Sequence, residues 1–161
     1  NCTFEGNTAD DYGGGMTNDT SSPTLTTCTF TKNSASAGGG IANYASNPMF
    51  ENCTFTANFA EFSGRGMNND SSNPTLTDTT VCGNTPDQIY GDWTDGGGNT
   101  IADECPIDCP DINGDGYVNV TDLLVVIDQW GLTDSPADLN QDGIVDVTDL
   151  LIVVGNWGPC P

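Results

Sequence analysis

Two stretches of twelve residues set oxygen-bearing groups at the same places in the same order. The first offers Asp111, Asn113, Asp115, the Tyr117 carbonyl, Asn119 and Asp122. The second offers Asp138, Asn140, Asp142, the Ile144 carbonyl, Asp146 and Asp149. Gly116 and Gly143 hold the sixth place of each copy, where a sharp turn needs a residue without Cβ. Carboxylates, amides and one main-chain carbonyl are hard donors, and six to eight such oxygens are what calcium takes. An apolar run follows each stretch, Leu123-Leu124-Val125-Val126-Ile127 and Leu150-Leu151-Ile152-Val153-Val154, and each copy closes on a Trp-Gly pair at Trp130 and Trp157. The offset between the copies is 27 residues throughout. Two copies in register predict two loops, each holding one calcium ion and each followed by a helix.

The spacing is that of the twelve-residue EF-hand loop, with ligands at positions 1, 3, 5, 7, 9 and 12. Two departures narrow it. Position 12 is Asp rather than Glu, and Cys109-Pro110 before the first loop and Pro136 before the second leave no room for a full entering helix. A duplicated loop with only an exiting helix resembles the dockerin family, over residues 109–161. The resemblance implies two calcium ions, helices related by a pseudo-twofold axis, an extracellular setting and docking onto a cohesin domain of another protein. The family's partner-reading positions, the tenth and eleventh of each loop, fall on Val120-Thr121 and Val147-Thr148. Their identity is compatible with binding in two orientations and equally with recent duplication. Leu123, Leu124, Ile127, Leu150, Leu151 and Val154 read mostly as core. Trp130 and Trp157 read as closing the helix ends against that core, with a carbohydrate platform as the alternative.

The rest of the chain must position this tail, and its composition limits what it can be. The 161 residues carry 23 acidic and 2 basic side chains and no His, a formal charge of −21. Such a surface cannot neutralise phosphates, which excludes nucleic acid as a partner and makes an anionic membrane surface equally unattractive. No apolar run approaches a membrane span. Seven of the carboxylates lie in the two loops, so two calcium ions would cancel four charges and leave the surface strongly acidic.

Residues 1–84 are a repeat array. Phe4, Phe30, Phe55 and Val81 recur at spacings of 26, 25 and 26, and each is followed three residues later by Asn7, Asn33, Asn58 or Asn84. A glycine cluster with Met16, Ile41 or Met67 comes next, then Asn18, Asn43 or Asn69, then Leu25, Phe50 or Leu76. No helical period is present; each copy offers three short β-friendly runs with alternating faces. This predicts a right-handed parallel β-helix of about three rungs, with Phe, Met/Ile and Leu columns pointing inward. The Asn columns are placed at turns, where Asn tolerates the left-handed conformation and its amides can ladder. A single rung cannot bury its own face, so about three are the minimum. The Phe-x-x-Asn and Gly-Gly-Gly-(Ile/Met) pattern resembles the repeats of polymorphic outer-membrane and pectin-lyase-like β-helix proteins. Residue 1 falls inside a repeat, which suggests the mature or truncated C-terminal part of a longer product.

Residues 85–108 break the period and are read as a cap lying over the last rung, with Gly96–Ile101 as a partial further turn, and then a linker. With seven Cys, no C-x-x-C pair and no His, zinc is excluded and an oxidising, extracellular or cell-surface location is expected. The expected disulfides are Cys82–Cys105, closing the cap, and Cys109–Cys160, clamping the ends of the tail. Cys2, Cys28 and Cys53 are expected as a column of buried free thiols.

The fold class expected is therefore a β-solenoid followed by a small α calcium-binding, dockerin-like domain. Catalysis is not expected. Lys32 and Arg65 stand in different rungs at unlike positions, and Asp10, Asp11, Asp19 and Asp70 are scattered in turns. The function expected is that of a secreted, non-catalytic attachment protein whose partner is a cohesin-like domain or identical subunits stacked into filaments. The alternative is a fragment of a polysaccharide-degrading β-helix enzyme or a carbohydrate-binding adhesin, with polysaccharide as partner.

Overall fold

The computed structural model describes residues 1–84, 87–105, 109–140 and 142–160. The chain divides into two compact units, Asn1–Cys105 and Pro106–Pro161.

The first unit is a parallel β-solenoid of about three turns. One sheet stacks Thr3–Glu5, Thr29–Thr31, Thr54–Thr56, Thr80–Cys82 and Thr100–Ala102 in register. A second stacks Met16–Asp19, Ile41–Tyr44, Met67–Asp70 and Ile89–Tyr90. The third stacks Thr24–Thr26, Met49–Glu51, Thr75–Thr77 and Thr94–Asp95. The three columns expected to point inward do so. Phe30, Phe50, Phe55, Ile41, Met67, Leu76 and Val81 are all buried in one cluster, and each contributes about 1.5–3 kcal/mol by leaving water. The Phe4, Phe30 and Phe55 rings stack nearly parallel, with centroids 4.6 and 4.7 Å apart, which is the inter-strand distance imposed on the side chains. The glycine cluster is explained by close approach: a Cβ on Gly40 would stand 2.4 Å from the Gly66 carbonyl oxygen.

The Asn columns ladder as expected. Asn33 Oδ1 accepts from the Asn7 backbone and amide nitrogens, Asn58 Oδ1 from those of Asn33, and Asn84 Oδ1 from those of Asn58, all at 2.9–3.0 Å. Their backbone, however, is not left-handed. That conformation falls on the residues just before them, Gly6, Lys32, Ala57 and Gly83, and at other corners on Thr20, Ala45, Ser71, Thr27, Asn52 and Asp78. The reason is that the Asn side chain must point inward to reach its neighbours, so the residue before it takes the bend. A Cβ in that region carries a penalty of about 1–2 kcal/mol, which the buried hydrogen bonds offset.

Residues 87–105 differ in form from the expected cover. They add a strand to each of the three sheets, in shortened coils, while Ile89 and Trp93 do pack against the core. Thr85 and Pro86 of the expected cap, and Pro106, Ile107 and Asp108 of the expected linker, lie outside the described residues. Cys82–Cys105 forms. Cys28 and Cys53 are buried free thiols as expected, but Cys2 is exposed, because its column gives it a neighbour on one side only.

The second unit holds two nine-residue helices, α1 (Val120–Asp128) and α2 (Val147–Gly155). Val118, Val126, Ala137, Val145 and Val153 form its buried core. The copies hold each other reciprocally. The Gly131 amide after α1 donates to the Val145 carbonyl in the second loop, and the Val145 amide donates back to the Leu132 carbonyl. Gly158–Pro159 after α2 pairs antiparallel with Tyr117–Val118 in the first loop. Cys109–Cys160 joins the two ends.

Candidate metal loops and docking face

Each loop is shaped by its own carboxylates. Asp111 Oδ1 accepts from the Gly114 and Asp115 amides at 2.8 and 3.1 Å, and its Oδ2 from the Gly116 amide at 2.6 Å. Asn113 Oδ1 accepts from the Asp115 amide and Asp115 Oδ1 from the Tyr117 amide, both at 2.9 Å. In the second loop Asp138 Oδ2 accepts from the Gly143 amide, Asn140 Oδ1 from the Asp142 amide and Asp142 Oδ1 from the Ile144 amide. Successive Asx turns thus curl both loops in the same way.

Positions 9 and 12 start the helices. Asn119 and Asp146 are the N-caps, accepting from the Thr121 and Thr148 amides, and Asp122 and Asp149 complete the capping boxes from the third helical position. Asp122 is fully buried and accepts from the Ile112, Asn113 and Asn119 amides; Asp149 does the same with Leu139, Asn140 and Asp146. Burial pushes the Asp122 carboxyl up, but the hydrogen bonds from Asn119, Asn113 and Ile112 together outweigh it and hold it below the ordinary carboxylate value. The Thr148 hydroxyl and amide hold Asp146 down likewise. A carboxylate has about four lone-pair directions, so three amide donors leave Asp122 and Asp149 room for one more partner.

Among the described residues no three Asp, Glu, Cys or His side chains are gathered closely enough to hold an ion by themselves. The donor sets here are mixed, with amides and main-chain carbonyls among the acids. Asn113 Nδ2 donates to Asp115 Oδ2 at 3.2 Å and Asn140 Nδ2 to Asp142 Oδ2 at 2.9 Å, an N–H standing against each carboxylate. Among the described residues Asp138 Oδ1 is buried with no hydrogen-bond partner. A buried anionic oxygen without a donor is strongly unfavourable and calls for a cation. The donor set, the glycine at position 6 and this orphaned oxygen fit calcium, and the residues that would hold it are the twelve named from the sequence.

The helices differ from expectation on their outer side. Val126 and Val153 are buried, and Leu123 and Leu150 are partly buried against the core. Leu124 and Leu151 are instead 56% and 59% exposed, Ile127 and Val154 about half exposed, and Val120 and Val147 likewise. The core reading therefore fails for Leu124, Ile127, Leu151 and Val154. Nine-residue helices that are apolar nearly all round need cover on two sides, and the five-residue core supplies one. Trp130 and Trp157 do not close against the core either; both are about half exposed. On each helix Val, Leu and Ile or Val at i, i+4 and i+7 share one stripe, with the Trp beyond its end. Val120 and Val147 belong to that stripe. The Thr121 hydroxyl is turned back to Asn119 Oδ1 at 2.8 Å, and Thr148 bonds Asp146 in the same way.

No helix among the described residues is long and apolar enough to cross a membrane. Comparison with curated proteins returns no match, and comparison with solved structures returns none. The family model for a right handed beta helix region matches residues 1–119, and that for a dockerin type I domain matches residues 109–157. Dockerin type I domains typically bind calcium, have cohesins as partners and occur in extracellular proteins. The stacked coils and the twinned loop-helix units are accounted for together: the chain belongs to the right-handed β-helix family and carries a dockerin type I domain after its solenoid.

Proposed function

We propose that the chain is a secreted, non-catalytic attachment protein. Its tail, held by two calcium ions, docks onto a cohesin-type domain through either of two equivalent faces, and the solenoid is the rigid body so attached. The observation that carries this reading is the matched pair of exposed apolar stripes, Val120-Leu124-Ile127-Trp130 and Val147-Leu151-Val154-Trp157. Contiguous exposed apolar surface of this kind marks an interaction site, and aromatic and aliphatic anchors dominate such interfaces. The disulfides support a location outside the cell. The non-catalytic reading rests on the two cations. Arg65 is spent on the Ala60 carbonyl and the Phe59 ring, and Lys32 occupies a left-handed corner.

The test is a binding titration of the whole chain, in calcium, against a panel of type I cohesin domains. Leu124→Ser and Leu151→Ser should each leave binding within about threefold, because the other face remains. The double variant should lose about thirtyfold or more, the loss expected of paired anchors. A double variant that binds as well as the parent would reject the docking face. A single variant that abolishes binding would reject the equivalence of the two.

A further inference from the structure

The two loops differ at one place that their shared donor pattern does not explain. Asn113-Gly114, the third and fourth residues of the first loop, is the single Asn-Gly pair in the chain, and the second loop has Asn140-Gln141 there. A main-chain nitrogen that follows asparagine can attack the side-chain carbonyl carbon of that residue, and a glycine, having no Cβ, leaves the approach open. Asn113 and Gly114 are both exposed. A Cβ on Gly114 would meet nothing within 4 Å, so no neighbour crowds the attack. Asn33, before the small Ser34, is the contrast: it is fully buried, with its amide engaged by the Phe4 carbonyl and Asn58 Oδ1.

Hydrogen bonds hold the reacting atoms of the pair apart. The Gly114 amide donates to Asp111 Oδ1 at 2.8 Å, and Asn113 Oδ1 accepts from the Asp115 amide at 2.9 Å. Asn113 Nδ2 donates to Asp115 Oδ2 and to the Thr121 hydroxyl. For a ring to close, the Gly114 nitrogen must leave Asp111 and turn onto Asn113 Cγ, so these bonds must open first. Asp111, Asn113 and Asp115 are also the residues that would hold calcium from positions 1, 3 and 5. An ion there fastens the same segment that the reaction has to open.

We infer that Asn113 is a site of spontaneous deamidation, which calcium in the first loop suppresses and which disables that loop alone. The Gly114 nitrogen gives its proton to solvent and bonds to Asn113 Cγ. The bond from Cγ to Nδ2 breaks, and that nitrogen leaves as ammonia. The product is a five-membered succinimide, which water opens at either of its two carbonyls. Opening at Cγ gives aspartate, which keeps the main chain and adds a carboxylate at the third position. Opening at the main-chain carbonyl gives isoaspartate, whose main chain runs through Cβ and Cγ and is longer by one atom. That atom falls inside the turn by which Asp111 reaches the Gly114, Asp115 and Gly116 amides, so the isoaspartyl loop loses its curl and its cation. The second loop has no such pair and is spared. The protection, though not the reaction, rests on the calcium reading given above.

The experiment incubates the whole chain in warm neutral buffer, with chelator or with calcium, and follows it by peptide mass spectrometry. In chelator the peptide holding Asn113 should gain the mass difference between an amide and an acid, and an isoaspartyl methyltransferase should label it. Calcium at a hundred times its dissociation constant leaves about one chain in a hundred open to the reaction, so the rate should fall by about a hundredfold. Gly114→Gln, which copies the second loop, should stay unmodified in both arms. A calcium titration of the aged chain should find about half the parent's sites, while Asn113→Asp, the other product made directly, should keep them all. No mass gain in chelator, or a gain mapped first to another asparagine, would overturn the site. Equal rates in the two arms would overturn the protection, and titration of the fresh chain tells whether the cause is that no ion binds. An aged chain with every site intact would overturn the disabling of the first loop.

Discussion

Removing calcium should melt the tail and leave the solenoid standing. α1 and α2 have nine residues each, below the roughly 12–15 at which an isolated helix becomes even marginal. Their shared core is four valines and one alanine. Seven loop carboxylates would face one another without a counter-ion, Asp138 Oδ1 with no hydrogen bond among the described residues. A site filled at a hundred times its dissociation constant contributes about 2.7 kcal/mol, so two contribute about 5 kcal/mol, which is comparable with the whole stability of a small domain. Chelation should therefore abolish the helical signal of eighteen of the 161 residues at 222 nm, while the β signal of Asn1–Cys105 persists to its own melting temperature. Cys109–Cys160, spanning 51 residues, retains about 4 kcal/mol of chain-entropy stabilisation, so the loss should be sharper when chelation is combined with reduction. Helix signal unchanged by chelator would refute the reasoning, and so would simultaneous melting of both units.

Three more outcomes are expected. Asn58→Ala leaves the Asn33 backbone amide without an acceptor and the Phe30 carbonyl without its amide donor. At about 1–3 kcal/mol for each buried orphan, the solenoid's thermal transition should fall by about 10 °C or more, against a small shift for Asn7→Ala at the exposed coil. Gly40→Ala drives a Cβ into the Gly66 carbonyl and should cost about 1–3 kcal/mol, read as a lower midpoint in urea. Burial, then Tyr12 and Asp70, push the Tyr44 hydroxyl up to about 12 from 10.0. Between those values the folded state keeps a proton that the unfolded state has lost, so stability is full below pH 10 and declines as pH rises towards 12; Tyr44→Phe should flatten that decline in alkaline melts.

The solenoid was legible because its physics repeats. One strand spacing copied every 25 or 26 residues forces like residues to stack, so Phe4, Phe30 and Phe55 could be aligned by counting. Thr79 likewise takes the place of a cysteine beside Cys53 and is buried there. What counting missed lies where the repeat is broken. Gln88 ends the Asn ladder, its Oε1 accepting from the Asn84 backbone and amide nitrogens, yet it stands four residues after Asn84 rather than a full coil later. The longer glutamine side chain reaches the place that the shortened coil leaves open. The left-handed corners at Lys32 and Ala57 were hidden because nothing in those side chains favours that backbone.

The tail was legible in its loops and misread on its helices, and both follow from geometry. A ligand at position 1, 3 or 5 is fixed by local turns, so spacing along the chain determines where its oxygen stands. A helix with Leu123, Leu124, Val125, Val126 and Ile127 in succession has no polar side to point outward, so its period cannot say which apolar stripe is core. That choice is made by the partner copy. The Gly131–Leu132 and Gly158–Pro159 segments tie each helix end to the other copy's loop, which turns Val126 and Val153 inward. The same rotation brings Leu124 and Leu151 out. Because the two ties are reciprocal, the two exposed stripes must match, and a surface duplicated in this way presents one exposed apolar face twice.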